Sequence, residues 1–495
     1  MPASLIKLIR SLSKSEKRDF QLFTKKHEGY KQYAHLFKLI DTARHNDLSK
    51  FKSGFLQVYS ASSFEATAAY LTQLVTETII RTQRKRNNIF QLHYGLLQLH
   101  VLKERNLDDL WLKELSRLKC MASSIDYPVI DAILIREELN YLSATSFKGF
   151  KEKELIDKQQ KGREALISMR NTFEHYTLYE LIKLRLTNQG KIVSESDQKK
   201  LNDLLLGELS IINSRTRHSP ESRKVHLLFQ SFFFTNIGDY QSALKSFQQI
   251  NRLFEQNTSL WIHTPFEYIA VLDGILDSLR AIKNYEAMEP YIQKLEKLSN
   301  DTLPEHLCRI AGNTAMLYRI ITMIGKEQYT EAYHFIAERK REVHAMYGLI
   351  NDEKICELFF YFALIYFRNG KIKDAQRSIN MVLSIKKSGD NSIIVRVAGL
   401  LNLIFYYQEK DHEYLEYAVR SYRRMYYGKE KMLQTEKLVL RTIKDNPAGM
   451  VLYKRQKQWS SLAPAIKNIR QDAYEMQLLK YFDFSGWAEK EYHQE

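Results

Sequence analysis

The chain has 495 residues, of which 44% are hydrophobic and 27% charged, with 18 Gly, 8 Pro and 3 Cys and a formal net charge of +16. Its 30 Tyr, 25 Phe and 4 Trp supply too much apolar surface for a disordered chain, and the composition also excludes collagen-like and disulfide-stapled designs. At ~150 residues per domain the length suggests about three domains, although one repeat array fits it equally well.

The basic excess is uneven: residues 1–100 hold 16 basic and 7 acidic side chains, residues 201–300 hold 10 and 11. Cys120, Cys308 and Cys356 are far apart, odd in number and without a CxxC pair. They read as free thiols in a reducing compartment, which predicts a cytoplasmic protein.

In chain order, the opening MPASLIKLIRSL breaks its apolar residues with Lys7 and Arg10 and lacks a small-residue cleavage pattern, so it does not read as a secretory signal. Ser13 and Glu16 have capping-box spacing, and Gly29 separates the helix they start from the next. Tyr33, Leu36, Phe37 and Ile40 then repeat at i, i+3, i+4, i+7, and residues 64–82 and 89–102 show the same amphipathic pattern. Between these two lie Arg81, Arg84, Lys85 and Arg86, the densest basic cluster. It reads either as a phosphate-contacting patch, whose affinity would fall with salt, or as a helix C-terminus whose cations face exposed carbonyls. His93 and His100 share a helical face without a third ligand, so no metal site is expected, and the adjacent Asp108 and Asp109 suit a solvated helix start.

From residue 220 the sequence repeats itself. Five stretches share an apolar helix, a short turn and a second helix, and the first large apolar residue after each turn is Tyr240, Tyr285, Tyr329, Ile372 and Leu415. These markers are 45, 44, 43 and 43 residues apart. Three residues on comes a mostly small position (Ala243, Met288, Ala332, Ala375, Ala418), and four further a large apolar one (Phe247, Ile292, Ile336, Ile379, Tyr422). Pro220 and Pro265 follow N-cap residues twenty and twenty residues before their markers, Pro304 is a looser copy, and Tyr127-Pro128 hints at a boundary upstream. Pro290 falls inside an expected second helix and is read as a kink or a shifted boundary. The longest apolar run, Leu358 to Phe367, is about half a bilayer span and predicts a buried helix. Arg420, Arg423, Arg424, Lys429 and Lys431 interleave with Tyr422, Tyr426 and Tyr427, a charge-and-stacking pattern that single-strand binders also use. No stretch sustains period-two alternation.

Gly370, Ile372, Ala375 and Ile379, preceded by Ala363 and Tyr366, together with Gly238, Tyr240, Ala243 and Phe247, resemble the small, aromatic and turn positions of a tetratricopeptide repeat. The period of about 44 residues exceeds that family's 34, the Trp-Leu-Gly opening is missing, and Lys283, Glu327 and Glu413 stand where Gly is expected. The chain thus looks like a degenerate, long-helix relative of that superfamily, and its opening is similar to that of bacterial repeat proteins with no known activity.

The expected fold is all-α: a right-handed superhelical α-solenoid of antiparallel helix pairs. Its expected parts are a basic N-terminal helical cap (1–89), weakly repetitive hairpins (90–219), tetratricopeptide-like repeats (220–425) and a C-terminal helical cap (426–495). The resemblance implies that the first helix of each pair lines a concave groove, which places Phe232, Asn236, Asp273, Asp277, Arg280, Phe367, Arg368, Tyr407 and Lys410 there. That mixture of aromatic, acidic and basic groups suits a peptide or helix of a partner protein; an aromatic at helical spacing is equally a core residue. No GxGxxG, GxxxxGK[ST], GxSxG or HExxH occurs, so neither an enzyme nor a cofactor is expected. A nucleic-acid-associated regulator using the basic N-terminal region is the alternative. No membrane association is expected, and the oligomeric state stays open.

Overall fold

The computed structural model describes all residues except 1, 26–30, 44–46, 60–62, 86, 126, 190–191, 193, 213–218, 263, 301–302, 340–351, 385–392, 427–431 and 494–495. Among the described residues the chain is all-helical with no strand, and consecutive helices pack in neighbouring pairs. None of these helices is long and apolar enough to cross a membrane.

The local signals act where the sequence places them. Ser13 N–H donates to Glu16 Oε2 at 2.8 Å and Glu16 N–H to Ser13 Oγ at 3.2 Å, which closes the capping box. Ser219 caps helix Pro220–Ile237 by accepting from Ser222 N–H, and Pro265 and Pro128 occupy first turns where a missing N–H costs nothing. Pro290 shifts a boundary and does not kink: residues 286–288 form a 3-10 turn and the second helix, Glu289–Ser299, starts with the proline in its first turn. Gly29 lies outside the described residues.

Five turns share one backbone device. Gly238, Lys283, Glu327, Gly370 and Lys410 adopt left-handed φ values of 81°, 58°, 59°, 69° and 57°. In each, the next N–H reaches back five residues to a carbonyl, for example Asp239 to Phe234 at 3.0 Å and Lys371 to Tyr366 at 2.8 Å. This six-to-one bond ends the first helix and starts the return of the chain. Three of the five turns use a residue with a side chain, so the hydrogen bonds offset a strain that glycine would not carry. In the fifth copy the left-handed residue is Lys410, not Glu413; the register shifts by three residues, and Leu415 fills the position held by Ala243, Ala332 and Ala375 in the other turns. Those alanines and Met288 are fully buried, as helix-to-helix approach requires.

One apolar core runs from Leu227 to Tyr492, with separate clusters at residues 5–75, 92–134 and 182–233. Lys17 of the first cluster lies 3.7 Å from Glu305, so the N-terminal helices rest against helix Glu305–Gly325. Beyond helix Leu452–Gln471 the chain turns back, and residues 472–493 lie across the preceding helices.

The backbone of this strap passes directly over the first turn. A Cβ on Gly238 would sit 1.8 Å from Ala473 O, at a φ that side chains avoid. Gly238→Ala should therefore destabilise by about 1–3 kcal/mol. Hydrogen exchange should report it, with amides 472–481 losing protection before those of helix Pro220–Ile237.

Candidate functional site

Two apolar helices carry charge on one face each. In Pro265–Ala281, Asp273, Asp277 and Arg280 follow at i, i+4 and i+7; in Asp352–Arg368, Lys354, Glu357 and Tyr361 follow at i, i+3 and i+7. The two faces meet, and the strap closes them with Lys480 and Tyr481.

The Arg280 guanidinium, 1% exposed, is paired to Asp277, donates to the Tyr361 hydroxyl at 3.2 Å, and lies 3.5 Å from Glu357 Oε1. Lys480 Nζ sits 3.0 Å from Asp277 Oδ2, between the rings of Tyr240 and Tyr481 at 5.2 and 5.0 Å. The Tyr481 hydroxyl donates to Glu357 Oε1 at 3.0 Å, and its ring faces Arg280 at 4.6 Å. Lys354 Nζ bonds Asp273 Oδ1 at 2.7 Å, which also accepts from the Tyr318 hydroxyl at 2.8 Å. Asp273, Asp277 and Glu357 thus balance Arg280, Lys354 and Lys480 in a cluster of zero formal charge. Apart from the buried Arg280 Nε, which has no hydrogen-bond partner among the described residues, its charged groups are paired with one another, an arrangement that fixes geometry and seats a cation between aromatic faces.

Burial alone would raise the carboxyls of Asp277 and Glu357, but the neighbouring cations Arg280, Lys480 and Lys354 outweigh it and hold both below their ordinary values of 3.8 and 4.5. Burial would likewise lower Lys480 and Lys354, and the carboxylates raise them instead. Tyr361 is pushed up by burial to about 12. A depressed acid contributes stability that is complete above its unfolded value and is lost as pH falls through its folded value. The urea midpoint should accordingly be insensitive to these two groups from pH 7 to about 5 and fall below about pH 4. In Asp277→Asn/Glu357→Gln that acid slope should shrink.

The strap has further anchors. Gln477 Nε2 donates to Ile192 O at 2.7 Å and Asn236 O at 3.2 Å, and the Tyr474 hydroxyl donates to Gln198 at 2.8 Å. The Glu475 carboxylate accepts from Gln434 and Thr435 N–H at 2.6 and 3.0 Å, where it meets the positive end of helix Gln434–Asp445. Trp487 packs edge-on against Tyr407, 5.9 Å between centroids. A cavity of about 700 Å³ remains beside the strap, lined by Tyr240, Ile282, Lys283, Arg470, Leu479 and Asp483.

Of the nine groove residues expected from sequence, the structure brings Asp273, Asp277 and Arg280 together, and the strap meets Asp277, Arg280, Asn236 and Tyr407. The others lie elsewhere: Phe367 stacks on Phe405 at 4.1 Å, Arg368 lies over Tyr329, Phe232 packs on Tyr179, and Lys410 forms its turn. Lys354, Glu357, Lys480 and Tyr481 escaped the sequence reading. Charged residues at i and i+3 beside the apolar run 358–367 were a readable sign of the first two; nothing local marks the strap.

The basic clusters separate in the same way. Arg81 lies in the last turn of helix Phe64–Gln83, Arg84 follows it with its guanidinium 4.0 Å over the Tyr94 ring, Lys85 is in the turn beyond, and Arg86 lies outside the described residues. Arg420 pairs with Glu416 at 2.6 Å, Arg423 and Arg424 are in a last turn, and Tyr422 is buried; Tyr427, Lys429 and Lys431 lie outside the described residues. His93 meets the edge of Tyr127, and Asp108 and Asp109 open helix Asp108–Ile125.

Compared with known proteins, the chain matches no family model and no curated sequence. The fold and site together define an all-helical protein of consecutively packed helix pairs, bridged by its own C-terminal segment.

Proposed function

We propose that the protein is a non-catalytic interaction scaffold, a right-handed, tetratricopeptide-like superhelix of period about 44, whose inner face recognises a helical or extended segment of a partner protein. One observation carries this reading: residues 472–493 dock as a segment, through a lysine between two tyrosines and through polar anchors on residues from 192 to 445. The five equivalent turns support the repeat geometry, and the cation seat formed by Asp277 and Tyr240, beside the Glu357 carboxylate that accepts from the Tyr481 hydroxyl, suggests the chemistry of the segment: a basic residue followed by an aromatic one.

Fluorescence anisotropy with a labelled peptide of residues 472–493 tests the reading. The full chain carrying Lys480→Glu, whose own strap is repelled by Asp277 and Glu357, should bind the peptide; the unaltered chain should bind it more weakly. A control peptide with the same Lys480→Glu change should stay free. Equal behaviour of the two peptides, or no binding to either chain, defeats the proposal.

A further inference from the structure

Helix Glu152–Gln189 is 38 residues long and buries only one side: Asn171, His175 and Ile182 face the neighbouring helices. Among the described residues nothing covers its opposite side from residue 166 to 184. Leu166 is 57% exposed, Met169 42%, Phe173 70%, Leu181 37% and Leu184 57%. An isolated exposed leucine needs no explanation, but five large apolar side chains along one helical face do.

The order of residues along that face says what would cover it. Leu166, Arg170, Phe173, Thr177, Glu180 and Leu184 advance by alternating steps of four and three, the spacing of a helix-to-helix seam, and all six are exposed. The seam is also its own complement when reversed. Lay a second copy of this helix antiparallel to the first across the exposed face, with a two-fold axis at the level of residue 175. Leu166 then meets Leu184 of the other copy, Met169 meets Leu181, Phe173 meets Thr177, and Arg170 meets Glu180 at both ends. Each apolar residue finds an apolar or small neighbour and each charge its opposite, which is what a two-fold interface demands of a surface that must match itself. Within one chain Arg170 leans on Glu174 at 2.9 Å, with 80% of its side chain in solvent, so it can turn to Glu180 at little cost.

We infer that the protein forms a homodimer through an antiparallel pairing of helix Glu152–Gln189 across this seam. The contact spans about 27 Å at 1.5 Å per residue, and a single helix pair of this kind makes a dimer whose formation depends on concentration.

Light scattering coupled to size exclusion, and sedimentation of the full chain over a micromolar concentration series, test the inference. The unaltered protein should approach twice the 58.5 kDa chain mass as concentration rises. Phe173→Glu should remain monomeric with its helical circular dichroism unchanged, since the residue is exposed. Arg170→Glu and Glu180→Arg, which each set like charges opposite one another, should weaken the dimer by about tenfold or more. The double exchange Arg170→Glu/Glu180→Arg should restore it. A monomer throughout the series overturns the inference, and so does a dimer that survives Phe173→Glu or is not rescued by the double exchange.

Discussion

Asp277→Ala should lower the unfolding free energy by about 3–5 kcal/mol, because it leaves Arg280 and Lys480 buried without their principal counter-charge. The size follows from an asymmetry: pairing two buried charges gains little over apolar packing, whereas removing one partner leaves the other charge with its full desolvation cost. Asp277→Ala/Lys480→Met should therefore regain much of the lost stability, even though it removes one more side chain. Urea denaturation followed by circular dichroism and by tryptophan fluorescence decides the matter. Strictly additive losses would show that the two residues are not coupled.

Glu436→Ala should be comparably severe, at about 3–5 kcal/mol. Glu436 is fully buried and accepts from Arg396 at 2.6 and 3.1 Å, from the Tyr422 hydroxyl at 2.5 Å and from Leu433 N–H at 2.7 Å. Its carboxylate is at once the partner of a guanidinium, the acceptor for a buried hydroxyl and the acceptor for the N-cap Leu433 N–H. Glu436→Gln keeps the shape and the acceptor oxygen but not the charge, so its loss should be roughly half that of alanine. Equal losses for the two variants would show that charge is nearly all that Glu436 supplies, and an unchanged stability of Glu436→Gln would show that charge is not what it supplies. Thermal unfolding of the three proteins at one pH measures this.

What the sequence made legible was local. Capping of Pro220–Ile237 rests on residues 219–222, and the Gly238 and Gly370 turns on contacts five residues apart, within the reach of pattern reading. Lys283, Glu327 and Lys410 take the same left-handed conformation without the residue that announces it, which is why the fifth turn was placed at Glu413. At the site, Asp273, Asp277 and Arg280 were reached through the repeat resemblance, which puts the first helix of each pair on the groove, and their i, i+4, i+7 spacing agrees with one face. Their partners were not: Lys354 and Tyr318 come from other helices, and Lys480 lies 203 residues from Asp277. No periodicity carries information over that distance, and the residues between 472 and 483 have no repeat to align.

That separation has a consequence for how the protein is made. Ile192 and Gln477 are 285 residues apart, and a ribosome adding about 5–20 residues per second needs on the order of tens of seconds to pass from one to the other. Each hairpin can form as it emerges, yet Arg280 and Asp277 wait, partly uncovered, until Lys480 and Tyr481 are translated. Loop closure itself is not the obstacle, since each doubling of span costs only about 0.6 kcal/mol. A chain without residues 472–493 keeps the helices up to Gln471 but leaves Asp277 and Arg280 without Lys480 and Tyr481, a charged seam open to water.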